Sequence, residues 1–186
     1  MDIRIRRVER DDWPSWARMA AQLWPEATDH AAETAELAGN PDSFTLLTET
    51  VQGSPCGFAT ISIRPYANGC ASRPVGYLEG IWVREDLRRR GVGGQLLQRA
   101  EEQLAARGLT ELASDVLLDN LISQGAHLAW GFSEAERVVC YCKPLARREE
   151  PGAASAGEPG RSAGMRPDPQ LQGMGGLTPP PTRDLP

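Results

Sequence analysis

Three arginines and three glycines stand close together in the stretch "RRRGVGGQLL", residues 88–97. Leucines and alanines then recur at helical spacing to about residue 107, so the glycines fall in the first turn of a predicted helix. The first amide N–H groups of a helix lack partners within it and carry the positive end of its dipole. Glycines would let a ligand approach these amides, and the arginines add positive charge. The stretch therefore predicts a phosphate or pyrophosphate site.

The residues around the glycines exclude two common phosphate sites. A P-loop continues with Gly-Lys-Ser/Thr, whereas this stretch continues with Gly-Gly-Gln at residues 93–95. A dinucleotide-binding fingerprint follows the first strand of its domain, and an acidic residue on the next strand accompanies it. Here the glycines follow a later predicted strand, "YLEGIWV".

Two carboxylates occupy positions where they could act on a cationic or amine substrate. Glu79 interrupts the otherwise apolar strand "YLEGIWV", and Asp115 ends the next predicted strand, "TELASDV". Ligands of open α/β sheets bind at that end of the strands, and a carboxylate there can accept a proton from an attacking amine. The alternatives are an edge position or an arginine partner for Glu79, and a turn residue before the next helix for Asp115.

The elements that would position these residues follow from apolar periodicity. The predicted order, β-α-α-β-β-β-α-β-α-β, is a mixed α/β domain. The first strand is "DIRIRRV", a helix capped by Asp11 or Asp12 follows, and a second helix runs over residues 29–37. The later segments are the hairpin "SFTLLTETV" and "CGFATISIR", the strand "YLEGIWV", a helix over 92–107 closed by Gly108, the strand "TELASDV", a helix "DNLISQGAHLAW" capped by Asp119, and a final strand "ERVVCYCK".

Composition separates the chain into two parts. The 186 residues, 40% of them hydrophobic, suit one domain with an ordinary core. Residues 146–186 hold 8 prolines, 7 glycines and no aromatic residue, so they bury too little apolar surface to offset the entropy of ordering them. We predict a folded domain over residues 1–145 and a disordered tail over residues 146–186.

The charge and the cysteines limit the partners. The net charge is −5, and the tail's five acidic residues balance its five arginines, so the whole charge lies in the folded part. This argues against nucleic acid and for a cationic ligand.

The sequence shows neither a membrane span nor a signal peptide, which predicts a cytoplasmic protein. Its four cysteines form no Cys-x-x-Cys pair, so we expect buried or idle thiols and no metal.

Arg88-x-x-Gly91-x-Gly93, between a strand and an amphipathic helix, resembles the acyl-CoA pyrophosphate motif of the Gcn5-related N-acetyltransferases (GNAT). The blocks "QLWP", "SIRPYANGCASRPVGYLEGIWV", "ASDVLLDNLISQGAH" and "GFSEAERVVCY" resemble the aminoglycoside 6′-N-acetyltransferases of that superfamily, over residues 1 to about 145. The resemblance implies a GNAT fold, with a mixed, mostly antiparallel central sheet flanked by helices. It also implies antibiotic resistance through direct acetyl transfer from acetyl-CoA to the 6′-amine of an aminoglycoside in a ternary complex.

The same resemblance implies roles for individual residues. The residues contacting the antibiotic would be Trp24, Tyr66, Glu79, Asp115 and Glu136. Those binding acetyl-CoA would be Ile81, Trp82, Val83, Arg88, Arg89, Arg90, Gly91, Val92, Gly93, Gly94 and Asn120. Either Glu79 or Asp115 would accept the amine's proton. His127 stands where many members have a tyrosine and could protonate the leaving thiolate, although a lone histidine on a helix is also a common structural residue.

One departure and several alternatives remain at this stage. Relatives often carry an acidic residue where this sequence has Ala71, which predicts a shifted aminoglycoside range. Another polyamine or a peptide amine is an alternative acceptor. A non-enzymatic acyl-CoA sensor would not need the acidic residues. The family's tendency to dimerise and the apolar "RVVCYC" segment favour a homodimer.

Overall fold

The computed structural model of the protein describes residues 2–25 and 30–145, without the side chains of 30–33 and 35. The predicted tail, residues 146–186, lies outside the described residues, as does Asp29, the predicted start of the second helix. The chain divides into two compact units, Met1–Ala135 and Glu136–Pro186.

A five-stranded sheet forms the centre of the first unit. Its spatial order is the same as its order in the chain, β1-β2-β3-β4-β5. The first four strands pair antiparallel, and β5 runs parallel to β4. This confirms the predicted mixed, mostly antiparallel sheet. The strands are β1 (Ile3–Arg7), β2 (Ser43–Thr50), β3 (Pro55–Arg64), β4 (Val75–Val83) and β5 (Leu112–Ser114).

Helices cover both faces of this sheet. They are α1 (Trp13–Leu23), α2 (His30–Gly39), α3 (Val92–Ala105) and α4 (Leu121–Ala129). Because successive strand residues point to opposite faces, Leu46 packs in a core with α3 and Leu47 in a core with α1. The α3 residues buried in the first core are Val92, Leu96, Leu97, Ala100 and Leu104, and the α1 residues buried in the second are Trp16, Met19 and Ala20.

Capping differs from the prediction at two helix starts. Asp12 occupies the N-cap position of α1 but makes no side-chain cap bond. Its carboxylate accepts hydrogen bonds from Arg6 at 2.5 and 2.8 Å and from the Glu9 amide at 2.8 Å, because a charged guanidinium is a stronger partner than a helix amide. At α4 the cap is Asn120, not Asp119: the Asn120 side chain accepts from the Ser123 amide at 3.1 Å.

The predicted end of α3 is confirmed. Gly108 has φ of 81°, a backbone conformation that favours glycine. Its amide donates to the Ala105 carbonyl at 2.9 Å, and the Leu109 amide donates to the Leu104 carbonyl at 3.1 Å. This pair of bonds is the Schellman motif, which turns the chain back toward β5.

The predicted final strand, "ERVVCYCK", is wrong. Residues 136–145 carry neither helix nor strand, although residues 138–142 form a continuous apolar run. The side chains of Val139 and Tyr141 are 73% and 93% exposed. A strand exists only where a neighbouring strand satisfies its backbone groups, and an apolar run in the sequence does not supply that neighbour.

Candidate active site

A β-bulge places Glu79 outside the regular alternation of β4. In the pairing of β3 with β4, Thr60 lies opposite Gly80 and Ile61 lies opposite Leu78, so Glu79 is the extra residue. A bulge redirects the side chain of its extra residue. This explains how a carboxylate stands in a strand whose neighbours are nearly all apolar.

Arg64 and Ser62, both on β3, hold the Glu79 carboxylate. The Arg64 guanidinium donates to Glu79 Oε1 at 3.1 Å and to Oε2 at 2.6 Å, and the Ser62 hydroxyl also donates to Oε1. The arginine-partner alternative for Glu79 is therefore the arrangement that the structure shows. A bidentate guanidinium fixes the carboxylate plane as well as neutralising it.

Asp115, directly after β5, is held by a different group. The Tyr77 hydroxyl of β4 donates to Asp115 Oδ1 at 2.5 Å. The Arg64 guanidinium lies over the Tyr77 ring, 3.4 Å from its centroid, within cation–π range. Tyr77 and Arg64 thus connect the two carboxylates that the sequence singled out, in the order Glu79, Arg64, Tyr77, Asp115.

Neither Arg64 nor Tyr77 was predicted to belong to the site. The signal was the pairing of β3 with β4: Ser62 lies opposite Tyr77, so two-residue alternation puts Ser62 and Arg64 on the face of the sheet that carries Tyr77. Using that signal requires the register of the hairpin, which periodicity alone does not supply.

Trp24 lies on the sheet beside this cluster. Its ring packs on Phe58, with centroids 6.1 Å apart, and a Cβ atom at Gly80 would overlap it. Leu23 ends α1 before Pro25, and the Trp24 indole lies against β4 at Gly80.

The loop between β3 and β4 carries Tyr66 and is fastened by a residue that was not predicted. Both oxygens of Glu111 accept backbone amides of this loop, from Ala71 at 3.2 Å and from Ser72. The Ser72 side chain, followed by the amides of Ser72 and Ala71, holds the pKa of the Glu111 carboxyl below its usual range. Tyr66 lies under the Arg73 guanidinium, 5.9 Å from its ring centroid. Glu136, the other predicted antibiotic contact, is the first residue of the second unit.

β4 and β5 separate at the predicted donor side. They pair only between Gly76–Leu78 and Leu112–Ser114. Beyond Leu78, residues 79–83 therefore have a β3 neighbour on one side and no β5 neighbour on the other. Ile81, Trp82 and Val83, predicted to offer backbone groups to acetyl-CoA, lie along this unpaired edge. The Val83 carbonyl accepts a hydrogen bond from Arg88 Nε at 2.9 Å.

The glycine-rich turn begins α3 as predicted. Gly91 is its N-cap, with φ of 81°, and Val92 is its first, buried residue. The side chains of Arg88, Arg89 and Arg90 are exposed. Gly93, however, faces Trp130: a Cβ atom there would lie 2.7 Å from Trp130 Cζ2. At least one glycine of the motif is thus required by packing.

His127, the candidate acid, has hydrogen-bond partners at both ring nitrogens. Nδ1 donates to the Ser123 carbonyl at 2.8 Å, and Nε2 lies 3.0 Å from Ser114 Oγ. The Ser114 hydroxyl also reaches the Leu78 carbonyl at 3.2 Å. Since a hydroxyl has one proton, Ser114 donates either to Leu78 or to His127. The ring is packed between Trp130 and Phe132.

Comparison with known proteins decides the family. The model of the acetyltransferase (GNAT) family matches residues 4–132. The chain belongs to this family. It is 44% identical over 146 residues to the aminoglycoside N(6′)-acetyltransferase type 1 of Klebsiella aerogenes, covering 76% of this chain and 96% of that protein. It is 39% identical over 140 residues to the protein of that name from Serratia marcescens, covering 74% and 96%.

Solved structures give the same result for this acetyltransferase. AAC(6′)-Iy in complex with the bisubstrate analogue CoA-S-monomethyl-acetylneamine matches with a TM-score of 0.74 at 37% identity, covering 78% of this chain and 100% of that one. AAC(6′)-Ih from Acinetobacter baumannii matches with a TM-score of 0.74 at 35% identity, with the same coverage. The family resemblance and the GNAT fold predicted from the sequence are confirmed.

The described part of the acetyltransferase contains neither a group of metal ligands nor a membrane-spanning helix. In residues 2–25 and 30–145, no three His, Cys, Asp or Glu side chains are grouped so as to hold a metal ion. Across the same residues, no helix has the length and hydropathy to cross a membrane.

Proposed function

We propose that this acetyltransferase transfers the acetyl group of acetyl-CoA to the 6′-amine of aminoglycosides and thereby confers resistance to them. The observation that carries the proposal is the pair of carboxylates, Glu79 and Asp115, held on neighbouring strands where β4 and β5 separate. The similarity to aminoglycoside N(6′)-acetyltransferases across 96% of their length supports the acceptor class.

The acceptor is a polycation, and the proposed contacts suit it. Glu79 and Asp115 supply negative charge, and the rings of Trp24 and Tyr66 supply aromatic faces for ammonium groups. Glu136 is proposed as a further carboxylate contact. Trp24 is supported by its position over Gly80, next to Glu79 in β4.

On the donor side, the unpaired backbone of Ile81, Trp82 and Val83 is proposed to bind the pantetheine arm. The amides and exposed arginines of residues 88–94 are proposed to bind the pyrophosphate, since a helix N-terminus favours anions. The Asn120 side-chain oxygen caps α4, so any contact of Asn120 with the cofactor would use its amide nitrogen.

The proposed reaction is direct attack in a ternary complex. A carboxylate accepts a proton from the 6′-ammonium, and the freed amine lone pair attacks the acetyl carbonyl carbon. The new C–N bond forms as the C–S bond breaks, the thiolate leaves with the bonding pair, and the acylated nitrogen releases its second proton to water. His127, hydrogen-bonded to Ser114, is proposed to supply the proton that the thiolate takes. Acid–base assistance of this kind contributes about 10²- to 10⁴-fold.

Release of CoA thiol from acetyl-CoA tests the proposal with four acceptors. We expect turnover with kanamycin, little with an aminoglycoside that carries a 6′-hydroxyl, and little with spermidine or a lysine peptide. Mass spectrometry of the kanamycin product should show one added acetyl group. Turnover confined to the peptide or to spermidine would replace this proposal with the alternative acceptor.

Location and assembly are also proposed. A cytoplasmic location is supported by the use of acetyl-CoA, a cytoplasmic metabolite. A homodimer is supported by the exposed apolar side chains of Val138, Val139 and Tyr141 in the second unit, since exposed apolar segments mark interaction surfaces. Sedimentation equilibrium of the full chain would reveal a monomer if this is wrong.

A further inference from the structure

Tyr77 is a buried phenol between two charged groups. Its side chain lies in a small core with Val75 and Ala113, and the residue is 5% exposed. One face of its ring contacts the Arg64 guanidinium, and its hydroxyl donates to Asp115 Oδ1. Its neighbours on the sheet therefore fix both the position and the direction of this hydroxyl.

The two carboxylates of the site differ in what remains free on them. Both Glu79 oxygens accept bonds from Arg64, and one accepts a further bond from Ser62. Asp115 accepts one bond, on Oδ1. Within the described part of the chain, its Oδ2 has no hydrogen-bond partner, and Asp115 itself is exposed. Asp115 thus has an oxygen available to a substrate amine, whereas Glu79 is occupied.

We infer that Tyr77 is a positioning residue for the reaction: its hydroxyl orients Asp115 so that the free carboxylate oxygen accepts the proton of the attacking amine. In this assignment Glu79, fixed by Arg64, binds the acceptor and does not take the proton. The inference rests on the proposed function, because it concerns the amine substrate of that reaction.

The hydroxyl acts as a donor throughout the working range of pH. Burial, and then the hydrogen bond to Asp115, raise the pKa of Tyr77 above its usual value. The phenol therefore stays protonated and keeps its hydrogen bond to the ionised carboxylate. It does not itself serve as the base.

Among the described residues, charged and titratable groups from three elements lie near Asp115. Tyr77 of β4 contacts it directly, Arg64 of β3 lies over the face of that ring, and Glu79 of β4 binds Arg64. From α4, His127 binds Ser114, the residue before Asp115. A change at the Tyr77 hydroxyl thus removes one neutral donor and leaves these charges in place.

Tyr77→Phe tests the inference because it keeps the ring beneath Arg64 and removes only the hydroxyl. We expect kcat with kanamycin to fall about tenfold, with KM for acetyl-CoA unchanged. KM for kanamycin should change less than kcat, because the proposed acceptor contacts Glu79 and Trp24 stay in place. Tyr141→Phe, which removes an exposed hydroxyl, is the matched control and should behave as the unmodified protein.

A double-mutant cycle with Asp115→Asn separates positioning from general support of the fold. If Tyr77 acts through Asp115, adding Tyr77→Phe to Asp115→Asn should cause little further loss of kcat. An unchanged kcat in Tyr77→Phe, or the same tenfold loss in both backgrounds, would overturn the inference. An unmodified protein that acetylates no aminoglycoside would instead overturn the proposed function.

Discussion

At the residue scale, the missing side chain of Gly80 makes room for the Trp24 ring on the proposed acceptor side of the site. The Trp24 ring occupies the space that a Cβ atom at Gly80 would need. An aromatic ring pressed onto the backbone next to Glu79 presents a flat apolar face beside a negative charge. Such a pair suits an amino sugar, which has both carbon-bound hydrogens and ammonium groups.

Gly80→Ala should therefore displace the Trp24 ring. We expect a cost of about 1 to 3 kcal/mol in unfolding free energy, as for other overpacked sites. KM for kanamycin should rise about five- to tenfold, while KM for acetyl-CoA stays the same. The measurements are steady-state kinetics and urea denaturation.

Gly125→Ala is the control for this substitution. Gly125 lies within α4, and a Cβ atom there would meet nothing within 4 Å. This change should stabilise the protein by about 0.5 to 1 kcal/mol and leave KM for kanamycin unchanged. Equal kanamycin KM values in the two variants would show that the Trp24 ring does not contact the acceptor.

Sequence reasoning identified Glu79 and Asp115 but not their partners. A carboxylate in an apolar strand can be recognised from a single sequence, because it differs in polarity from the residues around it. Arg64 and Tyr77 do not stand out in this way: an arginine at the end of a strand and a tyrosine in a core are both ordinary. Their roles depend on which β3 residue lies opposite which β4 residue, and the bulge at Glu79 changes that register.

At the element scale, the loop between β3 and β4 is fastened by β5 through one carboxylate. Glu111 directly precedes β5 and accepts the amides of Ala71 and Ser72. The family resemblance predicted an acidic residue at the position of Ala71. Here the Glu111 carboxylate, from another part of the chain, lies against that position. A negative charge is therefore present beside the alanine, which is relevant to the predicted shift in aminoglycoside range.

The Glu111 bond should make stability depend on pH in a defined direction. Its pKa is lower in the folded protein than in the unfolded chain, so its contribution is complete above about pH 4.3, the unfolded value. The contribution is lost as the pH falls through the lower folded value. Glu111→Gln should therefore have a lower Tm than the unmodified protein at pH 6, and the difference should shrink on acidification.

Thermal unfolding between pH 3 and pH 7 would measure this effect. Glu101→Gln is the control, because Glu101 is an exposed residue of α3 with no hydrogen bond or ion pair among the described residues. A Tm difference for Glu111→Gln that stays constant over this range would contradict the assignment.

The helices and the first five strands could be predicted because their apolar periodicity reflects local burial. Three features could not, and each depends on a distant partner. Asp12 bonds Arg6 of β1 and does not cap α1. Residues 136–145 contain the apolar run of a buried strand but form no strand in the structure. The bulge in β4 exists only relative to β3.

At the scale of the whole molecule, the proposed site and the two main cores occupy different positions along the same strands. The two cores hold the sheet between α1 and α3. The proposed site residues lie at the bulge, at the end of β5 and on the loop that Glu111 fastens. Substitutions in the site should therefore change kinetics more than stability, apart from those at buried Tyr77 and Gly80.

The bulge also determines which residues of β4 face the α3 core. Leu78 and Ile81 both pack toward the α3 core, although Ile81 is three positions after Leu78 and regular alternation would put them on opposite faces. Without Glu79, regular alternation would place Leu78 and Ile81 on the same face of the sheet. Glu79 is therefore an inserted residue that the packing of the core does not need.

Deleting Glu79 should bring Leu78 and Gly80 into consecutive register against Ile61 and Thr60, with every core residue kept on its own face. We expect the shortened protein to fold, with a Tm within a few degrees of the full-length chain, and to acetylate no aminoglycoside. Glu79→Gln, which keeps the bulge, is its control. A deletion variant that fails to fold would contradict this. One that folds would mean that a single codon separates this enzyme from an inert protein of the same shape.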